Sequence, residues 1–88
     1  MYELIIQNYI NSLTKNDVMI FSLKNNIILD NQELDYIFKI IKTNYKILLS
    51  NNYKEIFLEA KNHLSSDNYK KICNLFLDYR NKYQKFLN

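Results

Sequence analysis

Neither glycine nor proline occurs among the 88 residues of this chain. Glycine supplies the left-handed backbone of tight turns and phosphate-binding loops, and proline supplies rigid turns. A chain that lacks both is poorly suited to β-hairpins, whereas it can still form helices that short polar segments connect. We therefore predict an all-α fold, a compact bundle of four to five short helices that forms a single domain over residues 1–88.

Apolar residues recur at intervals of three and four positions, the period of one face of a helix. The pattern is cleanest near the end of the chain, where it predicts one long helix. The residues of its apolar seam are Tyr69, Ile72, Phe76, Tyr79, Tyr83 and Phe86. The residues expected at the centre of the core are Phe21, Ile37, Phe38, Ile41, Phe57, Ile72 and Phe76. If Phe76 is fully buried, we expect Phe76→Ala to lower the free energy of unfolding by about 3–5 kcal/mol.

Short polar segments predict where the helices begin and end. Thr14 and Asp17 predict the start of a second helix, because a threonine oxygen can accept from the amide three residues on. Asn25-Asn26 predicts its end, since asparagine is the best substitute for glycine in a left-handed cap. Residues 27–29 then predict an extended link, and residues 30–33 have the spacing of a capping box for the third helix.

The later boundaries rest on fewer signals. We expect the third helix to end near Thr43-Asn44, and the connector that follows to place Ile47 and Leu49 in the core. Ser50 is the predicted cap of the fourth helix, and residues 65–67 separate that helix from the fifth and cap it. The residues expected to face inward on the second helix are Val18, Met19, Phe21 and Leu23.

The net charge of +3 is unevenly distributed along the chain. Residues 1–35 carry two basic and five acidic side chains, a net charge of −3, and residues 36–88 carry ten basic and four acidic side chains, a net charge of +6. A basic second half can steer an anionic partner towards itself. Lysine and asparagine are abundant throughout, however, which is typical of a bacterial genome of low G+C content and weakens the lysines as evidence for one partner.

The composition excludes several classes of protein. One cysteine, Cys73, cannot form an intrachain disulfide, so a disulfide-built secreted fold is excluded. No apolar run approaches the ~18 residues of a membrane span, and we expect a cytoplasmic protein with no membrane partner. Without glycine there is no phosphate-binding loop, and one His63 beside one cysteine supplies neither a zinc site nor a catalytic triad. We therefore expect no enzyme activity, no cofactor, no metal and no small-molecule substrate.

Two kinds of binding remain open. The first is a protein-interaction module, in which the wide apolar face of the last helix contacts a partner protein or a second copy of the chain. The residues that we expect to make this contact are Tyr79, Tyr83 and Phe86.

The second is nucleic-acid binding. Residues 14–43 are predicted to form a helix, an extended link and a helix, which resembles the arrangement in the SAP and related small DNA-binding motifs. Basic side chains can neutralise phosphates, and tyrosines can stack on bases. The expected contacts are Lys39, Lys42, Lys46, Lys70, Lys71, Arg80, Lys82 and Lys85.

One pattern extends over most of the chain. Its elements are Thr14, Asp17, Phe21, Ile27-Ile28-Leu29, the acidic cap from Asp30 to Glu33, Ile37, Ile41, Glu55, Leu58, Ser66 and Leu75-Phe76-Leu77. Over roughly residues 5–80 this pattern resembles the YqfT-type family of Bacillus-like Firmicutes. The chain departs from that family after the third helix, where Lys42-Thr43-Asn44 stands in place of an arginine-glycine-containing link. The resemblance implies a compact all-helical bacterial protein and supplies no functional residues; a phage or mobile-element inhibitor is the alternative.

Overall fold

The computed structural model describes the backbone of residues 2–87 and the side chains of residues 4–82. Its five α-helices are α1 (Tyr2–Ser12), α2 (Lys15–Lys24), α3 (Asn31–Leu48), α4 (Tyr53–Ala60) and α5 (Ser66–Leu87). These residues contain no β-strand, and the predicted all-α class with a long final helix is confirmed. None of the described helices is both long enough and apolar enough to cross a membrane.

The helices fall into two compact units, and the division lies between Tyr45 and Lys46. The first unit contains α1, α2 and most of α3, and the second contains the end of α3 together with α4 and α5. The assignment of all 88 residues to one domain stays a prediction.

Both predicted ends of α2 are confirmed. The Asp17 amide donates to Thr14 Oγ1 over 3.1 Å, and the Thr14 amide donates to Asp17 Oδ2 over 2.9 Å, which completes a capping box. At the other end Asn26 has a φ of 62°, the left-handed conformation expected there. Its amide donates to the Leu23 carbonyl over 3.1 Å, and the amide of Ile27 donates to the Ser22 carbonyl over 2.9 Å. These two bonds define a Schellman motif in which asparagine takes the usual place of glycine.

The predicted capping box at the start of α3 is also confirmed. The Glu33 amide donates to Asp30 Oδ1 over 2.8 Å, and the Asp30 amide donates to Glu33 Oε1 over 3.2 Å. Glu33 is buried, with an exposed fraction of 6%. The carboxylate therefore has a local hydrogen-bond partner where burial would otherwise be costly.

The core of the first unit contains Ile10, Val18 and Ile27, all of which are buried. The expected core residues of α3 are half-buried; they are Ile37, Phe38 and Ile41. Phe21 was expected at the centre, and that expectation is wrong, because its side chain is 43% exposed.

The error has a geometric cause. The buried residues of α2 are Val18 and Ser22, one turn apart on a single face. At about 100° per residue, Met19 and Phe21 lie on the flanks of that face. Leu23 lies further round. Met19 and Leu23 are exposed as well, so the prediction that they face inward is also wrong.

A lysine from α3 closes the end of α1. Lys42 Nζ donates to the carbonyl oxygens of Ile10 over 2.7 Å and of Asn11 over 2.9 Å. The last turn of α1 has no basic residue of its own. Carbonyl groups in the last turn of a helix lack intrahelical partners and carry partial negative charge, so a cation stabilises them. The same ammonium lies 5.6 Å from the centre of the Phe38 ring.

The helix boundary predicted near Thr43-Asn44 is present as a kink that separates two helical stretches of α3. Asn44 has a non-helical φ of −126° and ψ of 18°, but α3 continues beyond it to Leu48. Ile47 is 42% exposed, so its predicted place in the core is wrong. Ser50 also does not cap α4: its hydroxyl donates to the Ile47 carbonyl and accepts from the Asn52 amide, which leaves it in the preceding turn.

Three aromatic rings form the packing centre of the second unit. Phe57 and Phe76 meet edge to face at 4.8 Å between ring centres, and Tyr53 lies 5.8 Å from Phe57 and 5.2 Å from Phe76. Such arrangements match the charge distribution of aromatic rings. Ala60 is buried, while Phe57, Phe76 and the other expected core residue, Ile72, are half-buried.

Candidate functional site

The described side chains include twelve large hydrophobic residues that are exposed. Eight lie in the first unit, between Leu4 and Ile28, and four lie in the second. Isolated exposed apolar residues are ordinary, whereas contiguous apolar patches mark interaction sites. Two groups of these residues line concave surfaces, one in each unit.

The surface in the second unit lies between α4 and α5, and we call it the α4–α5 groove. Its volume is about 400 Å³. The residues that line it are Tyr53, Lys54, Phe57, Leu58, Tyr69, Cys73 and Leu77. Leu58 is 70% exposed and Leu77 is 38% exposed, so apolar surface of both helices meets solvent here.

Helical spacing explains how the α4–α5 groove arises. Tyr69, Cys73 and Leu77 follow one another at intervals of four residues, and they lie on one side of α5. On α4, Phe57 belongs to the inward face, while Leu58, the next residue, lies about 100° round the helix. An apolar residue at that position widens the apolar surface of α4 beyond what the aromatic cluster covers.

The α4–α5 groove contains few polar groups. Burial, together with a smaller contribution from the neighbouring Cys73 thiol, raises the pKa of the Tyr69 phenol above its ordinary value of 10.0. The phenol is therefore protonated at neutral pH. Lys54 supplies a positive charge at the same surface.

The two residues that were considered for reaction chemistry, His63 and Cys73, both lie in the second unit. His63 is exposed in the turn after α4, and Cys73 is half-buried in the α4–α5 groove. Within the described residues, no group of three or more histidine, cysteine, aspartate or glutamate side chains is placed to hold a metal ion.

The predicted protein contacts on α5 lie apart from the α4–α5 groove or outside the described side chains. Tyr79 is 42% exposed and lies two residues, or about 200°, round the helix from Leu77. Tyr83 and Phe86 were named with it, and their side chains lie outside those that the structure describes.

The structure shows partners within the protein for Lys42, Lys71 and Arg80, which were predicted to contact nucleic acid. Lys42 binds the end of α1, and Lys71 forms an ion pair of 3.1 Å with Asp67 one turn away. Arg80 donates to Asn51 Oδ1 over 2.9 Å and to the Leu48 carbonyl over 3.4 Å. Its guanidinium carbon lies 4.6 Å from the centre of the Tyr53 ring. Arg80 therefore connects α5 to the turn before α4 through these hydrogen bonds.

The other predicted basic contacts lie on the surface. Lys39 and Lys46 of α3 and Lys70 and Lys82 of α5 are exposed. The side chain of Lys85 lies outside the described residues. Their role in binding nucleic acid stays a prediction.

The concave surface in the first unit lies along α2. Its volume is about 270 Å³, and it is lined by Tyr9 of α1 and by Asp17, Ile20, Phe21 and Lys24 of α2. Tyr9 is 65% exposed and Ile20 is 42% exposed.

Sequence reasoning missed one exposed apolar residue at each of these surfaces. Leu58 was not among the residues expected at the centre of the core, and Ile20 was not among the residues expected to face inward on α2. Both are large apolar residues that lie outside the predicted core. Such a residue is the sequence signal for an exposed apolar surface, and packing decides whether a neighbouring segment covers it.

Comparison with models of protein families, with curated proteins and with solved structures finds no match to this chain. The resemblance to the YqfT-type family therefore stays a prediction.

Proposed function

We propose that this chain is a non-enzymatic interaction module whose α4–α5 groove binds an acidic amphipathic helix of a partner protein. The observation that carries the proposal is the exposure of Leu58 and Leu77 on opposite sides of one open apolar groove. A helix that lays its apolar stripe into such a groove is a common mode of recognition.

The dimensions of the α4–α5 groove suit this occupant. From Tyr69 to Leu77 the α5 side spans nine residues, and the eight steps between them cover about 12 Å at the rise of an α-helix. That length accommodates two apolar side chains one or two turns apart on the partner helix. The two leucines supply exposed apolar contact at the groove surface.

Charge favours an acidic partner. Residues 46–88 carry eight basic and four acidic side chains, a net charge of +4. Lys54 lines the α4–α5 groove, and Lys70 is exposed on α5 one residue after Tyr69. Carboxylates that flank an apolar stripe would meet these cations, and such complementarity improves the rate and specificity of association.

Nucleic acid is the less favoured partner. Among its expected contacts, Lys42, Lys71 and Arg80 already bind other groups of the protein. Phosphate binding draws its affinity from the number of cations that reach the backbone.

The test uses three fluorescent probes and measures their anisotropy. Two are synthetic helical peptides of equal length with leucine at every third and fourth position, one with glutamate and the other with lysine at the remaining positions. The third is a duplex DNA oligonucleotide. We expect the glutamate peptide to bind, and Leu58→Glu to weaken that binding by about 30-fold, the effect of losing a hot-spot side chain.

Ile28→Glu is the matched control, because it introduces the same charge at a residue that is 76% exposed in the other unit. It should leave peptide binding unchanged. Equal loss in both variants, or equal binding of the two peptides, would contradict the proposal. DNA binding that exceeds both peptides and falls in Lys70→Glu but not in Leu58→Glu would replace it with the nucleic-acid alternative.

A further inference from the structure

The exposed side of α2 has a symmetric sequence. Asp17, Ile20, Phe21 and Lys24 are spaced by three, one and three residues, so they form one stripe along the helix. We call these four residues the α2 stripe. An acid stands at one end, a base stands at the other, and two large apolar side chains lie between them.

The order of side chains along the α2 stripe is complementary to the same order read in the opposite direction. In an antiparallel pair of α2 helices with a two-fold axis between Ile20 and Phe21, Asp17 of each copy faces Lys24 of the other. Ile20 of each copy then faces Phe21 of the other. A two-fold interface requires this reciprocity, in which each contact occurs twice.

We propose that two copies of the chain associate through the α2 stripe in an antiparallel helix pair. Both central residues present substantial apolar surface, since Ile20 is 42% and Phe21 is 43% exposed. Tyr9 of α1 lines the same surface and extends the apolar contact beyond α2. The α2 stripe and the α4–α5 groove have no residue in common, and the inference does not rest on the proposed function.

Charge favours a second copy over other occupants. From Leu4 to Leu13 no residue is charged, and α2 has two basic residues and one acidic residue. Helices that lie on anionic membranes instead present many basic residues beside the apolar face. A parallel pair would place Asp17 beside Asp17 and Lys24 beside Lys24, so repulsion selects the antiparallel arrangement.

Asp17 can serve both the helix cap and this contact. Its Oδ2 accepts from the Thr14 amide within the capping box. A carboxylate has two oxygens and about four acceptor sites, which leaves capacity for a lysine of the second copy.

The test is sedimentation equilibrium of the full chain over a range of concentrations. The wild-type protein should approach twice the single-chain mass of 10.7 kDa. Ile20→Glu should raise the dissociation constant by about 30-fold or more, because it places two carboxylates near the axis of an apolar contact. Leu58→Glu is the control and should associate like the wild type.

A second variant tests the direction of pairing. Lys24→Glu places like charges at both ends of an antiparallel pair, and it should raise the dissociation constant by about tenfold. Adding Asp17→Asn removes that repulsion while keeping an oxygen for the cap, so the double variant should recover much of the loss. Both positions are exposed, which keeps this pair of variants informative even if Ile20→Glu fails to fold.

A wild-type protein that sediments as a single chain at every concentration would overturn the inference. So would association that persists unchanged in Ile20→Glu, or a Lys24→Glu variant that associates as well as the wild type. The proposed function is judged separately, because folded Ile20→Glu should still bind the glutamate peptide.

Discussion

At the scale of single residues, Lys42 shows how one side chain can serve two helices. It belongs to α3, yet its ammonium supplies hydrogen bonds to two carbonyl groups at the end of α1. The aliphatic stem is half-buried and the charge lies above the Phe38 ring. A residue that composition assigns to the surface, and that was expected to contact nucleic acid, is therefore part of the internal structure of the first unit.

Replacing this lysine should destabilise the fold. We expect Lys42→Met to lower the free energy of unfolding by about 1–3 kcal/mol, because two charge-assisted hydrogen bonds are lost while the apolar stem is kept. Urea denaturation followed by circular dichroism measures the change. Lys39→Met, on an exposed position of the same helix, should change stability by less than about 0.5 kcal/mol. Equal stability of the two variants would show that the contact with α1 contributes nothing.

At the scale of the helix, α2 has well-formed caps at both ends but buries only a small part of its surface. Its apolar residues surround the axis, and only Val18 and Ser22 are buried. A capping box lies at its start and a Schellman motif lies at its end. Local hydrogen bonds thus determine where α2 begins and ends, while much of its apolar surface stays in contact with solvent.

The left-handed residue at the end of α2 gives a test of this view. A residue with a Cβ atom pays about 1–2 kcal/mol for this conformation, and asparagine tolerates it better than most. We expect Asn26→Ala to lower the unfolding free energy by about 1 kcal/mol and Asn26→Gly to keep or raise it. Thermal denaturation of the two variants compares them directly.

Asn16→Ala controls for the loss of an amide, since Asn16 lies in the first turn of the same helix and is exposed. It should be neutral or slightly stabilising, because alanine is the better helix former. If glycine at position 26 destabilised the protein as much as alanine does, the left-handed conformation would not be the relevant cost.

At the scale of the whole molecule, apolar material is spread over two units and many side chains are only half-buried. In the second unit, the ring cluster of Tyr53, Phe57 and Phe76 replaces a deep aliphatic core. Because Phe76 is half-buried, the 3–5 kcal/mol expected for full burial is an upper bound.

We expect Phe76→Ala to lower the free energy of unfolding by about 2–3 kcal/mol, since it removes α5's ring from the cluster and with it the two shortest ring contacts. Tyr79→Ala, three residues along the same helix at a position that is 42% exposed, should cost less than about 1 kcal/mol. Urea denaturation of both variants provides the comparison. Similar losses would mean that the ring cluster is not the packing centre of this unit.

The features that were predictable from sequence are local ones. The caps at Thr14, Asn26 and Asp30 depend on residues within a few positions of one another, and the structure contains all three. The lack of glycine and proline is also a local signal, because it disfavours tight turns throughout the chain, and it indicated the helical class correctly.

The features that were not predictable depend on distant neighbours. Periodicity places Phe21 and Ile47 beside apolar residues, but only packing decides which of them is covered, and both are exposed. Arg80 resembles any surface cation until the turn that it binds, 29 residues earlier at Asn51, is known. The α4–α5 groove was missed for the same reason, since Leu58 becomes a site only where α5 leaves it uncovered.

The lysine that closes α1 has a consequence for biosynthesis. An isolated helix of this length is marginal in water, and α1 has no charged side chain from Leu4 onwards to support it. Lys42 stands 32 residues beyond the Ile10 carbonyl that it binds. During translation the α1 segment is therefore synthesised before the lysine that stabilises its end, and we expect it to be largely non-helical until Lys42 can bind it.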